Sequence, residues 1–326
     1  MARTLEVAVD RFPLKKPFTI SRGSVSELEV VTATIRDGAC RGRGECRPYG
    51  RYGETVESVA AAIEAARGFI EAGGDRQSLL QKMPAGAARN AVDGALWDLE
   101  AKATGLTVQE LADLPPPVSA LVTYTIGLDT PEAMAAEALA CARPLLKLKL
   151  GGAGDLERVE AVRAAVPDVR LVVDANEAWT PEMVVDWSPR LAELGVELIE
   201  QPLHADQDEA LFGLARPVPL CADESCHGAL DLDRLAPLYD MVNIKLDKTG
   251  GLTAALQLAE RAEAEGLKIM VGCMMASSLA MAPAFVLAPR AVCLDLDAPL
   301  LLARDRQHPI HYDGAMMQPP MRELWG

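Results

Sequence analysis

Residues 145–200 read LLKLKLGGAGDLERVEAVRAAVPDVRLVVDANEAWTPEMVVDWSPRLAELGVELIE. Short apolar or β-branched runs in this stretch alternate with longer, alanine- and leucine-rich segments of helical period. The polar ends of the runs are Lys149, Asp174 and Glu200, which stand 25 and 26 positions apart. The stretch therefore predicts a strand–helix unit that repeats about every 25 residues.

The unit recurs eight times along the chain. Its apolar runs are residues 118–126, 145–150, 170–174, 196–200, 218–223, 241–247, 267–273 and 291–297. Eight such units predict an α/β fold, a closed parallel (β/α)8-type barrel, in a modified (β/α)7β form because no long helix follows the eighth run. A doubly wound open sheet would normally carry a glycine-rich phosphate turn after its first strand, and residues 125–129 have none.

The two flanks of the repeat have a different pattern. Runs 5–12 and 28–36 predict strands, the sequence RGRGE at 41–45 predicts a turn, and residues 54–72 and 85–104 predict helices. Consecutive prolines at 115–117 predict a linker. We therefore expect an α+β domain over residues 1–115 and a barrel over 116–298, with residues 299–326 wrapping back as an irregular tail.

Composition limits the classes of function. The chain has 326 residues and a net charge of −15, which argues against nucleic acid and anionic membranes as partners. Its longest apolar runs fall far below the ~20 residues that a membrane helix needs. Seven cysteines with no C-x-x-C pair predict free thiols in a reducing compartment. We expect a cytoplasmic protein, and the pattern leaves a homo-oligomer open.

Three predicted strands in succession end in a carboxylate. Asp174, Glu200 and Asp223 close the third, fourth and fifth runs, so they would meet at one edge of the barrel mouth, where barrel enzymes place their chemistry. Unpaired carboxylates would repel each other there and resist desolvation. A hard divalent cation relieves both problems, and the sequence therefore predicts a Mg²⁺ site.

Lysines flank the predicted metal site. Lys147 and Lys149 share one face of the second strand by alternation, and Lys245 ends the sixth. A dication and a second lysine nearby would lower the pKa of a lysine, as a general base for a weakly acidic C–H requires. Lys149 and Lys245 on opposite faces of a planar intermediate fit a racemase or epimerase, although one lysine alone could also serve a syn elimination. Lys147 would position Lys149 or bind the substrate carboxylate.

These motifs together resemble the enolase superfamily, in its muconate-lactonising branch. The carrying segments are KLK at 147–149, VDAN at 173–176, IEQP at 199–202, ADES at 222–225 and NIK at 243–245. A lysine base acting with Mg²⁺ is the known pattern of that superfamily, not a new deduction. The resemblance implies a capping domain made of the N-terminal residues and the C-terminal tail.

Within this branch the chain is most similar to dipeptide epimerases that act on L-Ala-D/L-Glu. The likeness rests on KLDKTGG at 245–251, MVGCM with SSLA at 270–280, DLDAP at 295–299 and the loop around GECRPY at 44–49. It implies a dipeptide substrate whose α-ammonium is held by Asp295 and Asp297. Two carboxylates on one face would also suit a cation on physical grounds.

Further substrate contacts follow from the same resemblance. Arg22 falls where these epimerases place an arginine that binds the glutamate side chain, and a guanidinium suits a carboxylate. Ser277 or Ser278 would bind the substrate's terminal carboxylate. Thr125, at the polar end of the first run, is also predicted to bind the substrate. The resemblance also implies a role in recycling cell-wall peptides.

Other functions stay open at this stage. Within the branch, N-acylamino acid racemase, o-succinylbenzoate synthase and muconate cycloisomerase are alternatives, but their substrates carry no free α-ammonium. The branches that use a histidine after the seventh strand fit poorly, because residues 272–278 contain none. A barrel that binds dipeptides without catalysis is the alternative outside enzymes, and it would not need two facing lysines.

Overall fold

The structure, a computed structural model, describes residues 2–326. Three strands and five helices precede the barrel: β1 Thr4–Ile20, β2 Gly23–Asp37, β3 Cys40–Cys46, α1 Val56–Ala65, α2 Arg67–Glu71, α3 Arg76–Lys82, α4 Ala87–Thr104 and α5 Val108–Leu111. The strands form an antiparallel sheet in the order β1-β2-β3. Strand β3 and the sheet pack on α4 around a core that includes Val31, Ile35 and Leu96.

The barrel strands are short and mostly buried. They are β5 Tyr124–Ile126, β6 Leu145–Lys149, β7 Arg170–Asp174, β8 Val196–Glu200, β9 Leu220–Ala222, β10 Met241–Ile244, β11 Lys268–Gly272 and β12 Cys293–Asp295. They form one parallel sheet, in chain order, and a hydrogen bond from Thr123 N to Leu294 O joins its two edges. The predicted α/β barrel with an N-terminal capping domain is confirmed.

Helices connect the barrel strands, except for the last helix, which follows β12. They are α6 Pro131–Cys141, α7 Asp155–Ala165, α8 Pro181–Glu193, α9 Leu232–Leu235, α10 Leu246–Thr249, α11 Leu252–Ala264, α12 Ser278–Phe285 and α13 Ala298–Leu301. Thr130 and Thr180 cap the N-termini of α6 and α8, each followed by a proline whose missing N–H costs nothing in the first turn. A 3-10 turn, Ala205–Leu211, replaces the helix after β8.

The tail returns to the capping domain at both of its ends. Near its start Leu302 bridges to Leu14, and at its end the Trp325 indole N–H donates to Gly94 O of α4. Between them β13 Tyr312–Asp313 and β14 Met316–Met317 form a small sheet with β4 Ala120–Leu121. These contacts support the proposed boundaries at 1–115, 116–298 and 299–326, which stay predictions.

Several sequence predictions were wrong in detail. Residues 41–45 form part of strand β3 rather than a turn. Gly42 and Gly44 lie so close to the backbone of α4 that a side chain at either position would clash with it. The predicted helix 54–72 is divided into α1 and α2, and α3 was missed. Run 118–126 is broken into β4 and β5. In residues 2–326, no helix is both long and apolar enough to cross a membrane.

Candidate active site

A cavity of about 280 Å³ lies between the capping domain and the mouth of the barrel. From the barrel it is lined by the two lysines Lys149 and Lys245 and by Asp223. From the capping domain it is lined by aromatic and aliphatic side chains and by Arg22. The two domains together therefore enclose the place where the sequence predicts the chemistry.

Backbone pairing sets the strand ends at one level. Lys149 pairs with Asp174 across β6 and β7, and Asp174 pairs with Glu200 across β7 and β8. Asp223 follows directly after β9. All three carboxylates are at most 2% exposed. The predicted juxtaposition of the acidic strand ends is thus present in the structure.

Lys147 lies among these carboxylates and does not line the cavity. Its Nζ is 2.6 Å from Glu200 Oε2, 2.6 Å from Asp295 Oδ2 and 3.1 Å from Asp174 Oδ2, and its side chain is fully buried. The contact with Glu200 is an ion pair without hydrogen-bond geometry, so Glu200 Oε2 has no hydrogen-bond partner. As placed, Lys147 holds the acidic residues together.

Lys149 and Lys245 each contact a different carboxylate. Lys149 Nζ donates to Asp174 Oδ2 at 2.6 Å, and Lys245 Nζ donates to Asp223 Oδ2 at 2.6 Å. Strands β7, β8 and β9 separate the strands that carry the two lysines. Because both ammonium groups face the same cavity from well-separated strands, a molecule bound between them would meet one lysine on each side.

The direction of the lysine pKa shift differs from the sequence prediction. Burial opposes the charge on Lys245, but the attraction of Asp223 and Glu200 outweighs it and holds its pKa well above the ordinary value. The same balance raises the pKa of Lys147, with Asp295 and Glu200 as its main partners. The predicted lowering requires the charge of a divalent cation, and the side chains alone set the opposite direction.

The Asp223 carboxylate contacts a second lysine, Lys248, for which the sequence predicted no role. Lys248 is fully buried on α10, and its Nζ donates to Asp223 Oδ1 at 2.6 Å and to Asn243 O at 3.1 Å. Burial opposes ionisation of Asp223, but Lys245 and Lys248 outweigh it and hold its pKa well below the usual range. The available sequence signal was only a second lysine three positions after Lys245.

The chemistry of the acidic strand ends fits a magnesium ion. Asp174, Glu200 and Asp223 offer hard carboxylate oxygens, and Asn243 Nδ2 supports Glu200 by donating to Oε1 at 2.8 Å. Burial raises the pKa of Glu200 to about 7, with the charge of Asp174 as the next cause, and a cation would relieve both. Over residues 2–326, no group of three carboxylate, imidazole or thiol side chains is arranged so that it could hold a metal ion. The ammonium groups of Lys147 and Lys149 lie against the Asp174 carboxylate instead.

Asp295 and Asp297 lie beside Lys147 and the first barrel strand. Asp295 accepts hydrogen bonds from Lys147 Nζ and from the hydroxyls of Thr123 and Thr125. Asp297 Oδ2 accepts from the backbone N–H of Thr125 at 2.6 Å, and burial together with the charge of Asp295 raises the pKa of Asp297 to about 7. The two aspartates are therefore not equivalent: the charge of Asp295 is matched by Lys147, whereas Asp297 forms no ion pair with the described residues. Neither aspartate lines the cavity.

Arg22 lines the cavity from the turn between β1 and β2, with its donors already in use. Its Nη2 donates to Glu224 Oε1 at 2.7 Å, and Nη1 donates to Asn176 O and to Glu177 Oε2. Nε and Nη2 both donate to the Tyr49 hydroxyl. A substrate carboxylate would have to replace one of these acceptors.

Ser277 and Ser278 do not line the cavity. The N–H and hydroxyl of Ser277 both donate to the carboxylate of Glu45, and those of Ser278 both donate to Asp305. Neither serine therefore has a donor left for the terminal carboxylate of a substrate in this arrangement. The prediction for Ser277 is not supported by its placement.

The chain after β7 and β8 adopts unusual backbone angles. Asn176, Glu177 and Gln201 have φ of 44°, 67° and 35°, a region that residues other than glycine rarely occupy. The resulting turns place Asn176 in the cavity wall and let Gln201 Oε1 accept from the backbone N–H of Asp223. Asn176 and Gln201 belong to the motifs VDAN and IEQP, from which no role for either residue was predicted.

Comparison with known proteins gives consistent matches over almost the whole chain. Residues 2–112 match the model for the mandelate racemase / muconate lactonizing enzyme N-terminal domain, and residues 132–323 match the enolase C-terminal domain-like model. An L-Ala-D/L-Glu epimerase from Escherichia coli strain K12 is 45% identical over 306 residues, 93% of this chain and 95% of that protein. An N-acetyl-D-glutamate racemase from a Pseudoalteromonas species is 43% identical over 302 residues, 91% and 95% respectively.

Solved structures agree with these relatives. An enolase family member from Agrobacterium tumefaciens with homology to dipeptide epimerases, bound to sodium and L-Ala-L-Glu, has a TM-score of 0.98 and 50% identity, covering 99% of this chain and all of that one. Further neighbours are dipeptide epimerases complexed with Mg and a dipeptide, at lower identity. The similar proteins thus include dipeptide epimerases and a racemase of an N-acetylated amino acid.

Proposed function

The chain belongs to the mandelate racemase / muconate lactonizing enzyme family of the enolase superfamily, and on that premise we propose that it epimerises L-Ala-D/L-Glu at the glutamate α-carbon. The observation that carries the proposal is that Lys149 and Lys245 line one cavity from well-separated strands, beside three buried carboxylates. A protein that only bound dipeptides would not need two lysines in this position.

The lysines supply a route for the proton. One lysine, as the neutral amine that the charge of a nearby Mg²⁺ would favour, takes the α-proton from one face of the glutamate residue. The other, as the ammonium, returns a proton to the opposite face, which inverts the centre. The reaction is a 1,1-proton transfer through a planar enediolate. Asp174, Glu200 and Asp223 would hold Mg²⁺, whose charge would stabilise the negative charge that develops on the substrate carboxylate.

The remaining contacts would orient the dipeptide. Asp297 would pair with the α-ammonium, since Asp295 is already matched by Lys147. Arg22 would pair with the glutamate side chain by releasing Glu224 or Tyr49. Lys147 and Thr125 donate hydrogen bonds to Asp295, and Thr125 also donates to Asp297. Direct contact of Lys147 or Thr125 with the substrate stays a prediction.

A second substrate class is favoured by one specific observation. The relative named N-acetyl-D-glutamate racemase is nearly as similar to this chain as the E. coli epimerase. N-acetylglutamate shares the glutamate moiety with the dipeptide but has no α-ammonium. Racemisation of N-acetylglutamate would use the same lysines and would leave Asp297 without a cationic partner.

We also propose a cytoplasmic location and a role in recycling cell-wall peptides. The odd number of cysteines, all with free thiols, supports a reducing compartment. The pathway follows only from the resemblance to L-Ala-D/L-Glu epimerases. A homo-oligomer remains open, and small dipeptides are the expected partners.

Product analysis tests the proposed function. The purified protein with Mg²⁺ is incubated separately with L-Ala-L-Glu and with N-acetyl-L-glutamate, and chiral chromatography follows the D-glutamate centre. We expect L-Ala-L-Glu to be converted to L-Ala-D-Glu. A chelator that removes Mg²⁺ should stop this reaction. Conversion of N-acetyl-L-glutamate alone would move the substrate to that class, and conversion of neither compound would contradict epimerisation of glutamate derivatives.

A further inference from the structure

A buried ionic cluster lies outside the cavity, where strand β3, the loop after β11 and the C-terminal tail meet. Its centre is Glu45, whose side chain is fully buried. Glu45 Oε1 accepts from the backbone N–H of Ser277 at 2.8 Å, and Oε2 accepts from the Ser277 hydroxyl. Arg306 completes the cluster by donating from Nη2 to Glu45 Oε2 at 2.6 Å. Residues far apart in sequence are thus joined by one carboxylate.

The glycines of β3 bring Glu45 to this position. A Cβ at Gly44 would lie 2.1 Å from Ala91 O, and one at Gly42 would lie 2.1 Å from Ala95 O, so only glycine allows β3 to rest directly on α4. Side chains alternate along a strand, so Glu45 points away from that helix and toward the barrel. In the sequence RGRGE the two glycines allow β3 to contact α4, and the glutamate that follows them lies between the capping domain and the barrel.

Arg306 fixes the tail to the same point. Its Nη2 also lies 2.8 Å from Asp10 Oδ2 and donates to the Thr32 hydroxyl at 2.8 Å, and its guanidinium lies 5.0 Å from the centre of the Phe12 ring. It therefore contacts both β1 and β2 as well as Glu45. A buried carboxylate with a guanidinium and two donors from Ser277 has its charge and its lone pairs satisfied.

The cluster holds one end of a wall of the cavity. Cys273, Met274 and Met275 line the cavity and lie between the end of β11 and Ser277. At the start of this segment Gly272 pairs with Asp295 of β12, and at its end Ser277 is bound by Glu45. The three wall residues carry no charge and form no ion pair, so the two anchors and the packing of Cys273 and Met275 on the core set their position.

We propose that Glu45 is a positioning residue that fixes the 273–275 wall of the cavity and thereby the fit of the substrate. Through Arg306 the capping sheet and the tail contribute to the same wall. The effect on substrate binding rests on the proposed function, whereas the effect on the order of the loop does not. The two effects are therefore measured separately.

The test compares Glu45→Gln with Asp98→Asn as a matched control. A glutamine at 45 presents an amide NH₂ in place of one oxygen, so this NH₂ faces either the backbone N–H of Ser277 or the guanidinium of Arg306 together with the Ser277 hydroxyl. Asp98 is also fully buried and also joins β3 to the tail, by accepting from the backbone N–H groups of Arg43 and Gly326, but it does not line the cavity or touch the 273–277 segment. Each variant replaces a buried carboxylate that accepts hydrogen bonds, but only Glu45 is hydrogen-bonded to the segment that forms the cavity wall.

Hydrogen exchange of the amides at 273–279 is the readout that does not need activity. We expect these amides to exchange at least about tenfold faster in Glu45→Gln than in wild type, and to be unchanged in Asp98→Asn. With L-Ala-L-Glu we expect KM to rise roughly tenfold in Glu45→Gln with kcat within about twofold, as for a lost ground-state contact. If wild type proves inactive on the dipeptide, the exchange measurement still decides the positioning role.

Ser277→Ala covers the case in which Glu45→Gln does not fold. This variant keeps the Arg306–Glu45 ion pair and removes the hydroxyl that donates to Glu45; the same hydroxyl also accepts from Arg306 Nε and from the N–H of Leu279 at the start of α12. A smaller change in the same direction is therefore expected at 273–276, where the loss of the helix cap has no direct effect. Unchanged exchange at 273–279 in a folded Glu45 or Ser277 variant would overturn the proposal. Equal changes in Asp98→Asn would also overturn it, because the effect would then reflect general stability.

Discussion

Lys149 and Lys245 face one cavity although three strands of the barrel separate the strands that carry them. Each ammonium group is paired with its own carboxylate, Asp174 for Lys149 and Asp223 for Lys245, both at 2.6 Å. The two lysines are therefore held independently, and replacing one leaves the pairing of the other in place. That independence makes the roles of the two lysines separable by mutation.

Single substitutions of the lysines should each stop epimerisation. Removing a general acid–base group costs roughly 10²- to 10⁴-fold in rate, so Lys149→Ala and Lys245→Ala should each lower kcat for L-Ala-L-Glu by that factor. Each variant should keep solvent exchange of the α-proton for the stereoisomer that its remaining lysine faces. Near-normal epimerisation in either variant would contradict the use of two bases.

Magnesium should stabilise the folded protein. A ligand that binds only the folded state at 100 times its Kd adds about 2.7 kcal/mol to the free energy of unfolding. Thermal unfolding with and without Mg²⁺ should show this increase in wild type and in Asp98→Asn, and Asp223→Asn should lose it. An equal Mg²⁺ effect in Asp223→Asn would place the ion elsewhere.

Asp297→Asn should separate the two substrate classes. The dipeptide would lose a charged partner for its ammonium, worth about tenfold or more in KM, whereas N-acetyl-L-glutamate has no ammonium to lose. The measurement is KM for both compounds with wild type and variant. A KM for L-Ala-L-Glu that does not change would rule out Asp297 as the ammonium partner.

Arg22→Met should weaken binding of the glutamate side chain. Charge-assisted hydrogen bonds contribute about 1.5–3 kcal/mol, so KM for L-Ala-L-Glu should rise roughly ten- to a hundredfold while KM for L-Ala-L-Leu changes little. Arg51→Met is the matched control, because Arg51 pairs with Glu177 on the same rim and does not line the cavity. Equal effects on both dipeptides would indicate that Arg22 only holds the loop closed.

Asp93 should give the stability of the protein a specific pH dependence. Burial raises the pKa of Asp93 to about 6, from an ordinary value of 3.8, although Thr253 donates to it from both N and Oγ1. Because the folded pKa is the higher one, the folded state binds more protons between these values, and the free energy of unfolding falls as pH rises from 3.8 to 6. Urea unfolding of wild type and Asp93→Asn should show wild type losing up to roughly 3 kcal/mol relative to the variant over this window. A difference in the free energy of unfolding between wild type and Asp93→Asn that stays constant from pH 3.8 to 6 would contradict the raised pKa of Asp93.

The sequence was most informative about strand ends. Asp174 and Glu200 were predictable because a parallel barrel brings successive strand ends to one edge, and backbone register alone then sets them at one level. Alternation placed Lys147 and Lys149 on one face. It could not show that Lys147 would pair with Asp295, because that contact depends on closure of the barrel between distant strands.

The roles of Glu45 and Ser277 were not predictable for a similar reason. Gly42 and Gly44 resemble turn residues until the helix they contact is known, and that contact involves Ala91 and Ala95 on a separate element. The serine next to the cavity wall resembles a substrate ligand until its donors are found on Glu45. Packing within the capping domain and hydrogen bonds between the domains therefore decided what local composition could not.

The central claim is tested most directly by proton NMR of L-Ala-L-Glu in D₂O with the protein and Mg²⁺. The glutamate α-proton signal should disappear as deuterium enters that position, and the signals of the L,D diastereomer should appear with it. The alanine α-proton should persist and serves as an internal control. Retention of the glutamate α-proton, with no second diastereomer, would contradict epimerisation of the dipeptide by Lys149 and Lys245.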